Sequence, residues 1–109
     1  MWVRVSRFEG GSAEQFDEGM RYIDENVLPA VRAMPGFQGV MSLSTADRSS
    51  GLTLTFWESE QALQESEDAA NRLRGEAAEA GGDTIAGVER YEVTRHHGGC
   101  RSWRYHASR

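Results

Sequence analysis

Residues Gly51 to Leu63 read GLTLTFWESEQAL, the clearest strand-to-helix joint in the chain. Leu52, Leu54 and Phe56 alternate with Thr53, Thr55 and Trp57, the period of two of a strand with one apolar face. At Ser59 the pattern changes. Its hydroxyl is placed to accept a backbone N–H that a helix start otherwise leaves unpaired. Glu58 and Glu60 stand where a helix N-terminus favours negative charge. Ala62, Leu63 and Ser66 then open a helical stripe.

Working outward, the same grammar recurs on both sides. Trp2 to Phe8 is a strand, with Val3 and Val5 on one face and Trp2, Arg4, Ser6 and Phe8 on the other. Glu9-Gly10-Gly11 ends it. Ser12 and Gln15 have the spacing of a capping box, so a helix follows. Its stripe is Phe16, Met20, Ile23, Val27, Val31 and Met34. Pro29 lies inside the stripe and has no N–H for the carbonyl of Glu25, which predicts a kink or a break. Met34-Pro35-Gly36 closes the helix. Phe37 to Thr45 is a second strand, joined through Ala46 to Ser50 to the strand of the opening stretch as a hairpin. The second helix runs from about Glu60 to about Ala80, with an irregular turn near Glu65 to Asp68, and Gly81-Gly82 stops it. Thr84 to Thr94 is the last strand. The order β-α-β-β-α-β predicts an α+β, ferredoxin-like fold, a four-stranded antiparallel sheet with two helices on one face.

The apolar set Val3, Val5, Phe37, Met41, Leu43, Leu52, Leu54 and Phe56 is expected to meet the helices. The other set holds Trp2, Arg4, Val40, Trp57 and Arg90. Aromatic residues gathered on an uncovered sheet face mark a contact surface. The expectation is a homodimer packed sheet to sheet through these five residues; the alternative is a monomer with scattered surface aromatics.

The 109 residues suit one small domain, residues 1–94, followed by a tail, 95–109. No apolar run approaches a membrane span. A single Cys100 gives no disulfide framework, so the expectation is a soluble, cytoplasmic protein with no membrane partner. The net charge of −5 argues against non-specific nucleic-acid binding. Every basic residue is Arg, and four of them fall from Arg95 onward with no acid among them. The tail also carries His96, His97, Cys100 and His106. Their spacing matches no closed zinc pattern, so no metal site is assigned. Trp103 and Tyr105 could stack on nucleic acid, but a flexible end is the expected state.

The run Met34-Pro35-Gly36-Phe37, the hairpin into Thr55-Phe56-Trp57-Glu58-Ser59, the alanine-rich helix and the closing Val88-Glu89-Arg90-Tyr91-Glu92-Val93 together resemble the antibiotic-biosynthesis monooxygenase-like (ABM) family. The likeness covers residues 1–94. It implies a dimeric α+β barrel with a ligand cavity in each subunit, between sheet and helices. That family mixes cofactor-free oxygenases, haem degraders and members without a known reaction. Its haem degraders use an Asn on the first strand with a Trp and a His on the second helix. Here the first strand has no Asn, Ser66 stands near the Trp position, and no His lies from Glu60 to Ala80, so none of that triad is carried over.

Residues 1–95 contain neither His nor Cys. A His base, a Cys nucleophile and a His or Cys metal centre are therefore absent from the expected fold. The resemblance implies oxygenases that use Trp, Asn, Tyr and Arg to bind a phenol, promote its deprotonation and shelter the anion. Arg74 and Tyr91 are the catalytic candidates on that reading. Arg74 lies beside the inward stripe of the second helix, where a guanidinium can stabilise an anion. Met41, Phe56, Ser66, Asn71, Arg74 and Tyr91 are the candidate binding residues. Each has a structural alternative: Arg74 as a surface residue laying its stem over apolar neighbours, Ser66 back-bonding to a helix carbonyl, Tyr91 as a core tyrosine. Two functions weigh nearly evenly. One is a homodimeric monooxygenase-like protein binding an aromatic or polyketide-like molecule with no metal or flavin cofactor. The other is a non-catalytic dimer of the same fold that binds a small molecule or serves as an accessory subunit.

Overall fold

A strand, a capped helix, a hairpin, a second capped helix and a closing strand follow one another in the computed structural model, which describes residues 1–97. The elements are β1 (Trp2–Glu9), α1 (Ala13–Tyr22), a π-helical turn (Ile23–Val27), α2 (Leu28–Arg32), β2 (Phe37–Ser44), β3 (Ser50–Trp57), α3 (Glu60–Glu65), α4 (Glu67–Gly81) and β4 (Thr84–Glu92). All neighbouring strands are antiparallel, in the order β2-β3-β1-β4. This is the α+β, ferredoxin-like arrangement that the element order requires. The expectations for Cys100, Trp103, Tyr105 and His106 lie outside the described residues.

The caps act locally as their residue types dictate. Ser59 Oγ accepts the Ala62 N–H at 3.1 Å and Ser12 Oγ accepts that of Gln15 at 3.3 Å. The capping box is only half formed, because the Gln15 amide lies against Gly82. Gly82 closes α4 at φ +69°, a conformation that other residues rarely adopt. The expected break does not occur at Pro29, since the helical run continues through it in α2. The turn before it widens instead, and the Leu28 N–H reaches back five residues to the Ile23 carbonyl. A π-helical turn absorbs the missing donor without ending the helix. The second helix breaks at Ser66, inside the expected irregular turn.

The sheet faces are the reverse of the expectation. Trp57 is completely buried and packs on Ala62 and Leu63 of α3, with Trp2, Met34 and Phe37 around it. Arg4, expected at a dimer surface, is 2% exposed, and its Nη2 donates to the Leu63 carbonyl. Val40 and Arg90 share this side, paired with Thr55 and Arg4. Trp2, Arg4, Val40, Trp57 and Arg90 therefore lie on the helix side of the sheet. Val3, Val5 and Phe56 instead cluster with Met1, Met41, Leu52, Leu54 and Val93, a group that contains no helix residue. The physical reason is volume. The helix stripe is mostly alanine, and large side chains from the sheet fill the space that small ones leave. A register shift between Phe37 and Gly39 also moves Phe37 onto the Trp57 side, where the two rings meet edge to face at 5.6 Å.

Helix and sheet are tied together by charge as well as by packing. Arg4 Nη2 also donates to Ser66 Oγ at 2.8 Å and to Glu67 Oε1 at 2.9 Å. Arg90 grips the same carboxylate with two bonds of 2.6 Å. Arg90's hydrogen bonds, opposed by burial and reinforced by Arg4, hold Glu67 down at a pKa of about 2. Burial in turn pulls the Arg4 guanidinium below its ordinary range, partly offset by Glu67. The pair therefore stabilises less than the carboxylate shift alone implies.

Two expectations follow. Trp57→Ala should cost about 3–5 kcal/mol of unfolding free energy, read from urea melts. Because the folded pKa of Glu67 is depressed, its contribution is complete above about pH 4.5 and is lost as pH falls toward about 2. The upper bound is about 3 kcal/mol. Glu67→Gln should be less stable at pH 7 and should lose less stability than the parent between pH 5 and pH 3. Equal slopes for the two proteins would remove Glu67 from the acid response.

Candidate functional site

The layer between helices and sheet holds two cavities that share Phe8 and Thr53 in their walls. The smaller, about 60 Å³, lies beneath Ala70, Leu73 and Ala77 of α4 and is floored by Ser6, Thr53 and Thr55. Arg74 lines it and is 9% exposed. Its Nε donates to Ser6 Oγ at 3.0 Å and its Nη1 to Asn71 Oδ1 at 2.6 Å. Its Nη2 is buried without a hydrogen-bond partner among the described residues. Burial, and then repulsion from Arg4, pull the Arg74 guanidinium below its ordinary pKa range. Arginine nevertheless keeps its proton in such surroundings, so a charged donor remains in the layer.

The larger cavity, about 210 Å³, opens between α1, the β2–β3 hairpin and the C-terminal end of α4. Phe8, Phe16 and Met20 supply its apolar walls. Arg48 stands in the hairpin turn at φ 65°, with its guanidinium carbon 4.3 Å from the centre of the Phe16 ring. That is cation–π distance. Asp83 also lines the cavity. Its carboxylate is seated against Gly11 and Gly81, where a Cβ on either would overlap it. Burial raises its pKa, and its side chain has no hydrogen bond or ion pair among the described residues. An unpaired carboxylate with a raised pKa is the type of group that takes a proton from a bound acid.

Of the sequence candidates, Asn71 and Arg74 meet through their hydrogen bond on the helix side, while Ser66 lies on the same side, bonded to Arg4, and lines neither cavity. Ser66 Oγ donates to the Leu63 carbonyl at 2.7 Å and accepts from Arg4, which is the back-bonding alternative with one added partner. Met41, Phe56 and Tyr91 do not join them. They lie on the other face of the sheet, paired with Leu54, Val3 or their neighbours. Tyr91 is 49% exposed, and its hydroxyl donates to Glu89 at 2.9 Å, which raises its pKa. Tyr91 and Arg74 thus do not converge on one ligand.

Sequence reasoning missed Ser6, Arg48 and Asp83. Ser6 carried a signal, since it alternates with Arg4 on β1. Asp83 carried none beyond its place after Gly81-Gly82. Haem iron would need an axial donor from this layer. Among the described residues, no imidazole, thiolate or phenol lines either cavity. His96 and His97 lie beside Met1, Met41, Phe56 and Val93, in the cluster on the other side of the sheet. The helix-side layer therefore does not fit the axial ligation of oxygen-activating haem proteins.

Comparison with known proteins agrees with this architecture. The fold matches a Streptomyces coelicolor monooxygenase solved with nanaomycin D, 19% identical, with a TM-score of 0.65 over 89% of this chain and 88% of that one. It also matches the Mycobacterium tuberculosis haem degrader solved with two haems in its active site, 25% identical, with a TM-score of 0.66 over 90% and 100% of the two chains. Two uncharacterised M. tuberculosis proteins are 34% identical over 92 residues, or 83% of this chain. The chain spans about 40% of the length of these curated relatives. Residues 3–78 match the sequence model of the antibiotic biosynthesis monooxygenase family. The chain belongs to the antibiotic biosynthesis monooxygenase family.

Proposed function

We propose that this protein is a homodimeric, cofactor-independent monooxygenase that oxidises a small phenolic or polyketide-like molecule bound between sheet and helices. The observation that carries the reading is the larger cavity, where apolar walls meet an unpaired Asp83 and a cationic Arg48. Its 210 Å³ exceeds the ~150 Å³ that admits benzene in an apolar cavity, so one or two fused rings fit. Asp83 takes the phenolic proton. Arg48, and Arg74 deeper in the layer, offset the charge of the resulting anion. The anion supplies the electrons and dioxygen is the oxidant. A ring CH₂ becomes C=O, one oxygen atom enters the product, and the other leaves as water with the two hydrogens. Glu67 is not the base, because two arginines hold its pKa low and make it a poor proton acceptor.

The reading as a non-catalytic binder keeps one specific support. The void beside Arg74 is only about 60 Å³, too small for a ring. A ligand confined to the outer cavity would then be held without Arg74 taking part. For the dimer, the support is the strand cluster around Val3, Val5 and Phe56, which has no helix against it. A second copy covering that cluster would leave both helix-side cavities free.

Oxygen uptake on a panel of anthrones and naphthols decides between these readings. The parent protein should consume oxygen, and Asp83→Asn should reduce the rate by about 10²-fold or more while still binding the phenol. Binding by the parent without oxygen uptake would establish the non-catalytic reading. Full activity in Asp83→Asn would remove the proton-acceptor role. Separately, Leu54→Glu should shift the sedimentation coefficient from dimer to monomer with helix content unchanged. A monomeric parent protein would end the dimer proposal.

A further inference from the structure

The charges in the helix-side layer do not balance. Arg4, Arg74 and Arg90 gather around Glu67 alone, and Glu67 is committed to Arg4 and Arg90. Arg74 is nine-tenths buried and its two hydrogen bonds go to neutral oxygens. Among the described residues, no carboxylate lines the void it borders. A buried guanidinium without a counter-charge and with an unmatched N–H is costly, and such groups ordinarily hold an anion. The void supplies what a small oxyanion needs: the unpartnered Nη2 and the hydroxyls of Ser6, Thr53 and Thr55. Its volume is that of about two waters, which fits a carboxylate group and excludes an aromatic ring.

We propose that Arg74, Ser6, Thr53 and Thr55 form a subsite for a carboxylate. If the function proposed above holds, on which this extension rests, the substrate is an aromatic or polyketide acid. Its rings occupy the outer cavity and its carboxylate reaches past Phe8 and Thr53 to Arg74. A free monovalent carboxylate would satisfy the same groups.

The probes are 2-naphthoate, 2-naphthamide, 2-naphthol and sodium formate, each titrated into the full chain and followed by calorimetry and thermal melting. Naphthoate should bind at least about tenfold more tightly than naphthamide, the advantage of a charge-assisted bond. Formate should displace naphthoate without displacing naphthol, and Arg74→Gln should abolish the acid–amide difference. Formate competition needs no variant, so it stands as the test even if Arg74→Gln fails to fold. Equal affinity for acid and amide, or a preference that survives Arg74→Gln, overturns the subsite. If formate raises the melting temperature of the parent while no naphthalene binds, the anion site stands with a free carboxylate as its ligand, and the proposed aromatic function fails. If neither formate nor any naphthalene binds, the subsite is overturned and Arg74 is solvated by water alone.

Discussion

The buried Arg4 is the constraint on which the helix side depends. A guanidinium on the middle of β1 cannot be covered by an apolar helix unless acceptors are brought to it. The chain brings three. The break between α3 and α4 presents the Leu63 carbonyl to Arg4 Nη2, places the Ser66 hydroxyl beside the same nitrogen, and starts α4 with Glu67. The break in the second helix is thus the geometry that satisfies one charge. The same joint fixes Trp57, since Arg4 lies over its indole at 5.6 Å and α3 closes it from above.

That arrangement has a cost which appears two turns further along α4. With Glu67 committed, Arg74 is left to neutral partners, Ser6 and Asn71. A fold under selection for stability alone would more simply place an apolar residue there, because a buried unpaired charge is seldom stabilising. Local violations of this kind concentrate where a protein binds something. The small side chains of Ala70 and Ala77 are consistent with that, since they leave room next to the guanidinium in a layer otherwise filled by Trp57 and Leu73.

The element order, the hairpin, the Ser59 cap and the irregular turn before α4 were legible because each has a local cause. The side of the sheet that faces the helices was not. Alternation along β3 separates Leu54 and Phe56 from Thr55 and Trp57 but says nothing about which set lies inside. Hydrophobicity suggested the aliphatic set, whereas volume against an alanine stripe selected Trp57 and Arg4. Once that parity was reversed, Tyr91, Met41 and Phe56 necessarily moved away from Arg74. Phe37 escaped parity altogether because a register shift intervenes before Gly39. Asp83 was illegible for another reason. Its environment is made by Gly11, Gly81 and the hairpin, segments far apart in the chain whose approach no local pattern encodes.

Fold and chemistry consequently part company in this protein. The haem degrader and the nanaomycin-bound monooxygenase superpose on it about equally well, with TM-scores of 0.66 and 0.65, so backbone similarity does not choose between them. The donor set does discriminate. Among the described residues, the layer that would have to ligate iron contains guanidinium, hydroxyl and carboxylate groups and no imidazole, thiolate or phenol. Cationic and hydroxyl donors around an apolar slot favour an organic anion over a metalloporphyrin iron. An oxygenation in which the substrate supplies its own electrons requires its anion to be stabilised. A site rich in arginine and poor in metal ligands is therefore consistent with substrate-driven chemistry in a way that the shared fold, by itself, is not.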